Sequence, residues 1–140
     1  MSQQNTSKRV GLEQGRAAFA YECAEEGRKL EKSKEYKSYV KKMPMLIKTN
    51  GLGAAVAFAF AKGCKDGNPD TNKNPWGLLY SQIEKWLKEK AIIEFNTNGL
   101  AKKLTEIPSS DYRAATVEVL ALLNWMKRFA DALIDGEAQD

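Results

Sequence analysis

The sequence predicts an all-α protein, a compact single-domain bundle of about six helices that covers residues 1–140. Apolar side chains recur at three- and four-residue intervals through most of the chain, which is the spacing of helix faces. No run of six or more residues shows the clean apolar–polar alternation of a half-buried strand. Hydrophobic residues make up 43% of the chain and charged residues 29%, which suits one folded core and is too apolar for disorder.

The first helix is predicted to begin after Ser7, which would act as its N-cap, and to end near Leu30. Residues 1–6 before it are expected to be flexible. The face predicted to enter the core comprises Val10, Ala17, Tyr21 and Ala24.

The second helix is predicted over Ser33–Asn50 and contains most of the segment Tyr36–Leu52, which has four lysines and no acidic residue. One stripe of this helix has the spacing of an apolar face and comprises Tyr36, Val40, Met43 and Ile47. A second stripe comprises Lys37, Lys41 and Lys48. We therefore expect one face to enter the core while the other presents ammonium groups to an anionic partner.

Three further features belong to this segment. Pro44 removes one i→i−4 hydrogen bond, so we expect the helix to kink or restart there, on the solvent side where the lysines lie. Asn50-Gly51 supplies the left-handed residue that ends such a helix. Tyr36 and Tyr39 alternate with the lysines, an arrangement that allows stacking or phosphate hydrogen bonds beside the charges.

A third helix is predicted from Gly51 to about Lys62. A buried helix is favoured over a central strand, the alternative, because five residues of this segment are alanine. Residues 63–75 follow as a loop rich in Gly, Asn, Asp and Pro.

The fourth helix is predicted from Pro75 to about Glu94, and the short fifth helix covers Leu100–Ile107. The inward residues of the fourth helix are Leu79, Ile83, Trp86 and Ile93.

The last helix is predicted to begin after Pro108, with Ser109 or Ser110 as its cap, and to end near Ile134. Residues 135–140 form an acidic tail. The core stripe of this helix has heptad spacing and comprises Tyr112, Thr116, Val119, Leu123, Met126, Ala130 and Leu133.

Composition argues against an enzyme. The chain has no histidine, which removes the commonest general base and metal ligand. It also lacks the glycine and Lys-Ser/Thr spacing of a phosphate-binding loop and any cluster of metal ligands. The two cysteines, Cys23 and Cys64, stand alone and are interpreted as buried thiols. We expect no cofactor and no metal.

The same composition indicates a cytoplasmic location. The first ten residues are polar and do not resemble a signal peptide. The longest apolar run, Gly51 to Ala61, is shorter than the roughly 20 residues of a membrane span. We therefore expect no membrane association.

Charge is unevenly distributed. Residues 28–48 hold eight basic residues and two glutamates, whereas acidic residues dominate after Phe129. This asymmetry suits an anionic partner or head-to-tail stacking of copies. Glu118 is predicted to lie on an apolar flank of the last helix beside Trp125, and a structural ion pair with Arg16 is its expected role.

Two segments together resemble a known family. The segment YKSYVKKMPMLIKTNGLGAAVAF contains the pattern P-x-x-I-x-x-N-G-L, and the last helix contains T-x-E-x-L-x-L-L-x-W-x-K-R-F-A. An Arg-Ala pair in the first helix precedes both. This ordered set resembles the small helical subunit of the Cmr complex, the type III-B CRISPR effector, and the resemblance covers essentially the whole chain.

The resemblance implies a non-catalytic subunit in antiviral defence, with other Cmr subunits (the RAMP backbone and the large subunit) as partners. Copies would stack head to tail beside the duplex of guide RNA and target RNA and hold its backbone, while base pairing selects the sequence. The basic positions that match the family, and are expected to contact RNA, are Arg16, Lys42, Lys127 and Arg128. The lysine stripe adds Lys37, Lys41 and Lys48. The positions expected to be structural are Pro44, Asn50, Gly51, Glu118 and Trp125.

Two other hypotheses remain open from the residues. The basic face could serve a protein–protein scaffold by meeting an acidic patch without direct RNA contact. A small helical DNA-binding regulator is less well supported, because no helix–turn–helix with base-reading side chains is evident.

Overall fold

A computed structural model describes the backbone of residues 2–95 and 99–136 and the side chains of residues 10–95 and 99–136. Six helices lie within these ranges, so the all-α prediction is confirmed. They are α1 (Ser2–Arg28), α2 (Ser33–Asn50), α3 (Leu52–Gly63), α4 (Pro75–Glu89), α5 (Leu100–Lys103) and α6 (Ser109–Leu133). The predicted start of the first helix is wrong, because α1 begins at Ser2 and Ser7 lies inside it. Met1 and the last four residues of the predicted acidic tail are outside the described residues.

The loop between α3 and α4 contains a short antiparallel hairpin. Strand β1 (Cys64–Lys65) pairs with β2 (Asn68–Pro69). The two residues between them, Asp66 and Gly67, have φ angles of 54° and 80°, the positive values that a tight two-residue hairpin turn requires.

Helix α2 lies at the centre of the bundle and contacts α1, α3, α4 and α6. Its predicted apolar face is confirmed, because all four residues are at most 2% exposed: Tyr36, Val40, Met43 and Ile47. The ring of Tyr36 packs directly over Gly27 of α1, where any Cβ would overlap it. The Tyr36 hydroxyl donates a 2.6 Å hydrogen bond to Oε1 of Gln82 on α4. The central helix is therefore fixed by packing and by a satisfied buried polar pair.

Helices α2 and α6 run antiparallel. Lys37 near the start of α2 contacts Ile134 just after the end of α6. The chain after α2 returns to the start of α6, where the Tyr112 hydroxyl accepts a 2.7 Å hydrogen bond from the backbone N–H of Gly53. That hydroxyl satisfies one of the unpaired amides at the beginning of α3.

The predicted core of α6 is confirmed for Val119, Leu123, Met126 and Ala130, which are at most 1% exposed. The other predicted members of its stripe, Tyr112, Thr116 and Leu133, are half-buried. The predicted serine cap is wrong: the cap position of α6 is Pro108, and no side chain caps it.

The predicted apolar face of α1 is wrong in part. Val10 is 49% exposed and Tyr21 is 43% exposed. The buried residues of α1 are Phe19, Ala20, Cys23, Ala24 and Gly27. Most of these side chains are small, which permits close approach of neighbouring helices, and a search for large apolar residues misses such a face.

Two predicted helices are shorter in the structure. Helix α5 ends at Lys103 rather than at Ile107, and α4 ends at Glu89 rather than near Glu94. After α4, the N–H of Ile92 donates to the carbonyl of Leu87 and the N–H of Ala91 donates to that of Lys88. This is the hydrogen-bond pattern of a Schellman motif, with Ala91 at φ 53° in the position that glycine usually occupies.

Glu118 on α6 joins three helices. Its carboxylate accepts hydrogen bonds of 2.8 Å from Nε and from Nη2 of Arg16 on α1, and one of 2.8 Å from Nε1 of Trp86 on α4. The predicted ion pair is therefore confirmed. Its hydrogen bonds to Arg16 hold the pKa of Glu118 below its ordinary value, although burial opposes the shift. The same contact raises the pKa of Arg16.

None of the helices in the part of the chain that the structure describes is long and apolar enough to cross a membrane.

Replacing Ala91 with Gly is expected to stabilise the protein by about 1 kcal/mol, because an L-residue with a Cβ is disfavoured in the left-handed conformation. Chemical denaturation of the variant and the parent measures this difference. The matched control is Ala57→Gly in α3, which lies at an exposed helical position and is expected to lose about 1 kcal/mol. Equal destabilisation by both substitutions would contradict the helix end described above.

Replacing Glu118 with Gln is expected to destabilise the protein by about 3 kcal/mol at pH 7, because it removes the closer and more buried of the two carboxylates that pair with the Arg16 guanidinium. Since the folded pKa of Glu118 is lowered, the stabilisation is complete above the unfolded carboxyl pKa of about 4.3 and is lost as the pH falls through the lower folded value. Urea unfolding at a series of pH values measures the difference between parent and variant.

The control is Glu13→Gln, which removes the exposed partner of Arg16 at 3.4 Å and is expected to cost less than about 1 kcal/mol. A Glu118→Gln effect that stayed constant down to low pH would show that lost packing, and not the charge, causes the destabilisation.

Candidate nucleic-acid interface

The lysines of α2 do not share one environment. The sequence predicts that Lys37 faces solvent, and the structure contradicts this: the residue is 8% exposed. Its Nζ donates a 2.9 Å hydrogen bond to the carbonyl oxygen of Ile134. Ile134 is the C-cap of α6, where unpaired carbonyls and the negative end of the helix dipole attract a cation. Lys37 therefore holds α2 against the end of α6 and does not belong to the candidate interface.

Lys41, one turn further along α2, lies at the surface beside α6. Its Nζ is 3.2 Å from Oδ1 of Asp131, and the two side chains are 47% and 52% exposed. An ion pair this exposed contributes about 0–1 kcal/mol, so an external anion such as a phosphate can replace Asp131 as the partner of Lys41. Lys41 is therefore still available to an external partner.

Lys42 and Lys48 are exposed, and neither takes part in an ion pair among the residues that the structure describes. Met45 lies between them in sequence and is 65% exposed, so this side of α2 faces solvent. The three lysines Lys41, Lys42 and Lys48 thus lie on the outward half of one rigid helix.

Two basic residues of α6 extend this surface. Lys127 is half-buried and lies one turn before Asp131, the partner of Lys41, while Arg128 is exposed beside it. Because α2 and α6 are antiparallel, Lys127 lies beside the part of α2 that leads from Lys41 toward Lys48. We call these five residues the outer α2 surface: Lys41, Lys42, Lys48, Lys127 and Arg128.

Arg16 is not part of this surface. Its side chain is 14% exposed, and its guanidinium makes two hydrogen bonds to Glu118. An RNA contact by Arg16 would have to break this pair, so its charge serves the fold. The RNA contact expected of Arg16 therefore competes with an ion pair that the residue already makes within the protein.

The residues predicted to be structural have clear local roles. Helix α2 continues through Pro44, which is half-buried, so the predicted restart of the helix there is wrong, while the predicted kink stays a prediction. Asn50 is the last residue of α2, and Gly51 follows with φ 89° and ψ 159°, a conformation that essentially only glycine adopts. Trp125 is half-buried and stacks on Phe129 with ring centroids 5.9 Å apart.

The two tyrosines predicted to alternate with the lysines differ in how far they are buried. Tyr36 is fully buried, so the prediction that it can contact a ligand is wrong. Tyr39 is half-buried and stacks on Trp76 of α4, with ring centroids 4.2 Å apart and planes inclined by 10°. Sequence reasoning missed this pair, because Trp76 is far from Tyr39 in the chain.

Two other kinds of site, a metal site and a reactive thiol, are not evident within the described residues. They contain no group of three or more acidic, cysteine or histidine side chains that could hold a metal ion. Burial raises the pKa of the Cys23 thiol, which is 1% exposed and therefore unsuited to act as a nucleophile.

Comparisons with known proteins identify a family for this chain. The family model described as "CRISPR-associated protein (Cas_Cmr5)" matches residues 12–133. The chain is 33% identical over 119 residues to the CRISPR system Cmr subunit Cmr5 of Thermus thermophilus, and the match covers 85% of this chain and 92% of that protein.

A solved structure is also similar. It is the X-ray crystal structure of a CRISPR-associated Cmr5 family protein, likewise from Thermus thermophilus, with a TM-score of 0.66 and 29% identity. The match covers 88% of this chain and 96% of that one. The resemblance found in the α2 and α6 sequence patterns is thus confirmed. The chain belongs to the Cas_Cmr5 family of CRISPR-associated proteins.

Proposed function

We propose that this protein is a non-catalytic small subunit of a type III-B Cmr effector complex in antiviral defence, and that its outer α2 surface holds the backbone of the duplex of guide RNA and target RNA. The observation that carries the proposal is the exposure of Lys41, Lys42 and Lys48 on one rigid helix, where only Lys41 has an ion-pair partner among the described residues.

Backbone contact fits the chemistry of this surface. Lysine is a flexible point charge that neutralises phosphate without reading base edges. An A-form RNA duplex hides its major-groove edges from side chains and is held mainly through shape, phosphates and 2′-hydroxyls. A surface of this kind therefore leaves sequence selection to base pairing between the two RNA strands.

In this proposal, several copies of the protein together provide the affinity for the RNA duplex. Three to five phosphate contacts by one copy give weak, salt-dependent binding. Copies stacked head to tail, held by the other Cmr subunits (the RAMP backbone and the large subunit), multiply these contacts along one duplex. Asp135 supports such stacking, since it is exposed just after the end of α6 and takes part in no ion pair among the described residues, whereas Asp131 is already paired with Lys41. The cytoplasmic location belongs to this proposal.

A scaffold role without RNA contact is the second candidate, and one observation favours it. Val10, Ala17 and Trp125 line an apolar groove of about 320 Å³ between α1 and α6, and the neighbouring Leu12 is 40% exposed. Exposed apolar surface of this kind is typical of protein contacts.

The third hypothesis, a DNA-binding regulator, draws no support from the family match.

The triple variant Lys41→Gln/Lys42→Gln/Lys48→Gln is expected to bind RNA more weakly and with a flatter salt dependence. Each phosphate contact removed lowers the slope of log Kobs against log salt by about 1, so the slope should decrease by up to about 3. Fluorescence anisotropy of an RNA duplex of about 20 base pairs, titrated with full-length protein at several salt concentrations, measures this slope.

The matched control is Lys65→Gln/Lys88→Gln/Lys102→Gln, which removes the same charge from exposed positions elsewhere. It is expected to leave the slope nearly unchanged. Equal effects of both triple variants would show that net charge, and not the outer α2 surface, governs binding. An unchanged slope in the first variant would favour the scaffold.

A further inference from the structure

A second basic feature lies beside the outer α2 surface. A cleft of about 510 Å³ is bounded by the first half of α2, the end of α3 and the segment that leads into α4. Its wall contains the stacked rings of Tyr39 and Trp76. Phe58 of α3 meets Trp76 edge-on at 5.2 Å and is itself 43% exposed. Two of these rings, Tyr39 and Trp76, line the cleft; Trp76 is 8% exposed, so the half-buried Tyr39 presents the more accessible ring.

The cleft is held open by hydrogen bonds that do not depend on a ligand. Asn74 donates from Nδ2 to the carbonyl oxygen of Lys62 at 2.8 Å, which ties the end of α3 to the start of α4. Its Oδ1 accepts hydrogen bonds from the N–H groups of Trp76 at 2.9 Å and Gly77 at 3.3 Å. The stacked tryptophan is therefore fixed in position before any ligand arrives.

Three lysines line the cleft: Lys32, Lys62 and Lys73. All three are exposed, and none takes part in an ion pair within the part of the chain that the structure describes. Of the two acidic residues in the lining, Asp70 uses Oδ1 to accept the backbone N–H groups of Asn72 and Lys73. Its charge is therefore partly satisfied within the loop, and the three ammonium groups outnumber the two carboxylates, Asp70 and Glu35.

The cleft is continuous with the outer α2 surface. Tyr39 lies three residues before Lys42 on α2, so these two side chains are neighbours on the helix, and Lys32 is the N-cap residue just before it. A nucleic-acid strand held at Lys42 would therefore pass next to the aromatic wall. The size of the cleft is within the usual range of small-ligand sites, about 300–1,000 Å³.

We propose that this cleft binds one unpaired nucleotide of RNA, with its base stacked on the Tyr39–Trp76 wall and its phosphates held by Lys62, Lys73 and Lys32. The proposal rests on the RNA-proximal function proposed above and adds a single-stranded site to it. A base within a duplex has no free face for such a wall, so the ligand is single-stranded. Stacking on aromatic rings is tolerant of sequence because every base has a π-face.

A single-stranded hexaribonucleotide with one 2-aminopurine tests the site, because stacking of this base quenches its fluorescence. The full-length parent and the variant Tyr39→Phe are expected to quench it, since both keep the ring. Tyr39→Leu is expected to weaken binding by about 5- to 100-fold, the loss typical of one stacking contact. Tyr21→Leu, which removes a 43% exposed aromatic ring of α1, is the matched control and is expected to behave as the parent.

Two further measurements keep the result interpretable. The same oligonucleotide with an abasic residue in place of 2-aminopurine is expected to bind the parent about 5- to 100-fold more weakly than the base-containing oligonucleotide does. Tyr39→Leu is expected to bind the two oligonucleotides with equal affinity. Lys62→Gln/Lys73→Gln, which changes only exposed side chains, is expected to weaken binding without loss of fold, as circular dichroism checks. This second variant keeps the test valid if Tyr39→Leu unfolds the protein.

The outcomes separate the two proposals. Equal affinity for the abasic and the base-containing RNA, or full quenching by folded Tyr39→Leu, would overturn the nucleotide site while duplex binding by Lys41, Lys42 and Lys48 stood. Loss of Cmr subunit assembly in Tyr39→Leu with unchanged RNA binding would identify the cleft as a protein contact and overturn the site as well. Base-dependent binding without any salt-dependent duplex binding would overturn only the function proposed above. Absence of both kinds of binding would overturn both proposals.

Discussion

The buried face of α2 determines how the other helices pack around it. Tyr36 is fully buried, and its hydroxyl must find a partner inside the protein, which it does in Gln82 of α4. Its ring also requires a glycine at position 27 of α1. These contacts fix the rotation of α2 about its own axis, and that rotation decides the environment of every lysine on the helix.

The result is a division of the basic residues between structure and surface. Lys37 borders the buried face and donates a hydrogen bond to the carbonyl of Ile134 at the end of α6. Arg16 forms an ion pair with Glu118. Lys42 and Lys48 remain exposed on the opposite half of α2. A net charge of +4 is too small to indicate nucleic-acid binding by itself, so the candidate interface depends on this division and not on the total.

The sequence predicts the long helices well where amphipathic spacing and end signals agree. The bounds of α2, Ser33–Asn50, are as predicted, because a strong apolar stripe ends at Asn50-Gly51. The end of α4 could not be predicted, since Ala91 occupies a position where glycine is the usual signal.

The candidate site is harder to predict from the sequence. Helical spacing places Lys37 on the basic stripe but does not reveal that the end of α6 covers it. Long-range packing, which a single sequence does not display, decides such cases.

Lysine acylation followed by mass spectrometry can separate the structural Lys37 from the lysines proposed to contact RNA. In the assembled complex without target RNA, Lys37 is expected to react slowly while Lys42 and Lys48 react readily. Addition of target RNA should protect Lys42 and Lys48 and leave Lys65 and Lys88 unchanged. A fast reaction at Lys37 would show that it is not held against the end of α6, and bound RNA that leaves Lys42 and Lys48 unprotected would show that they do not contact it.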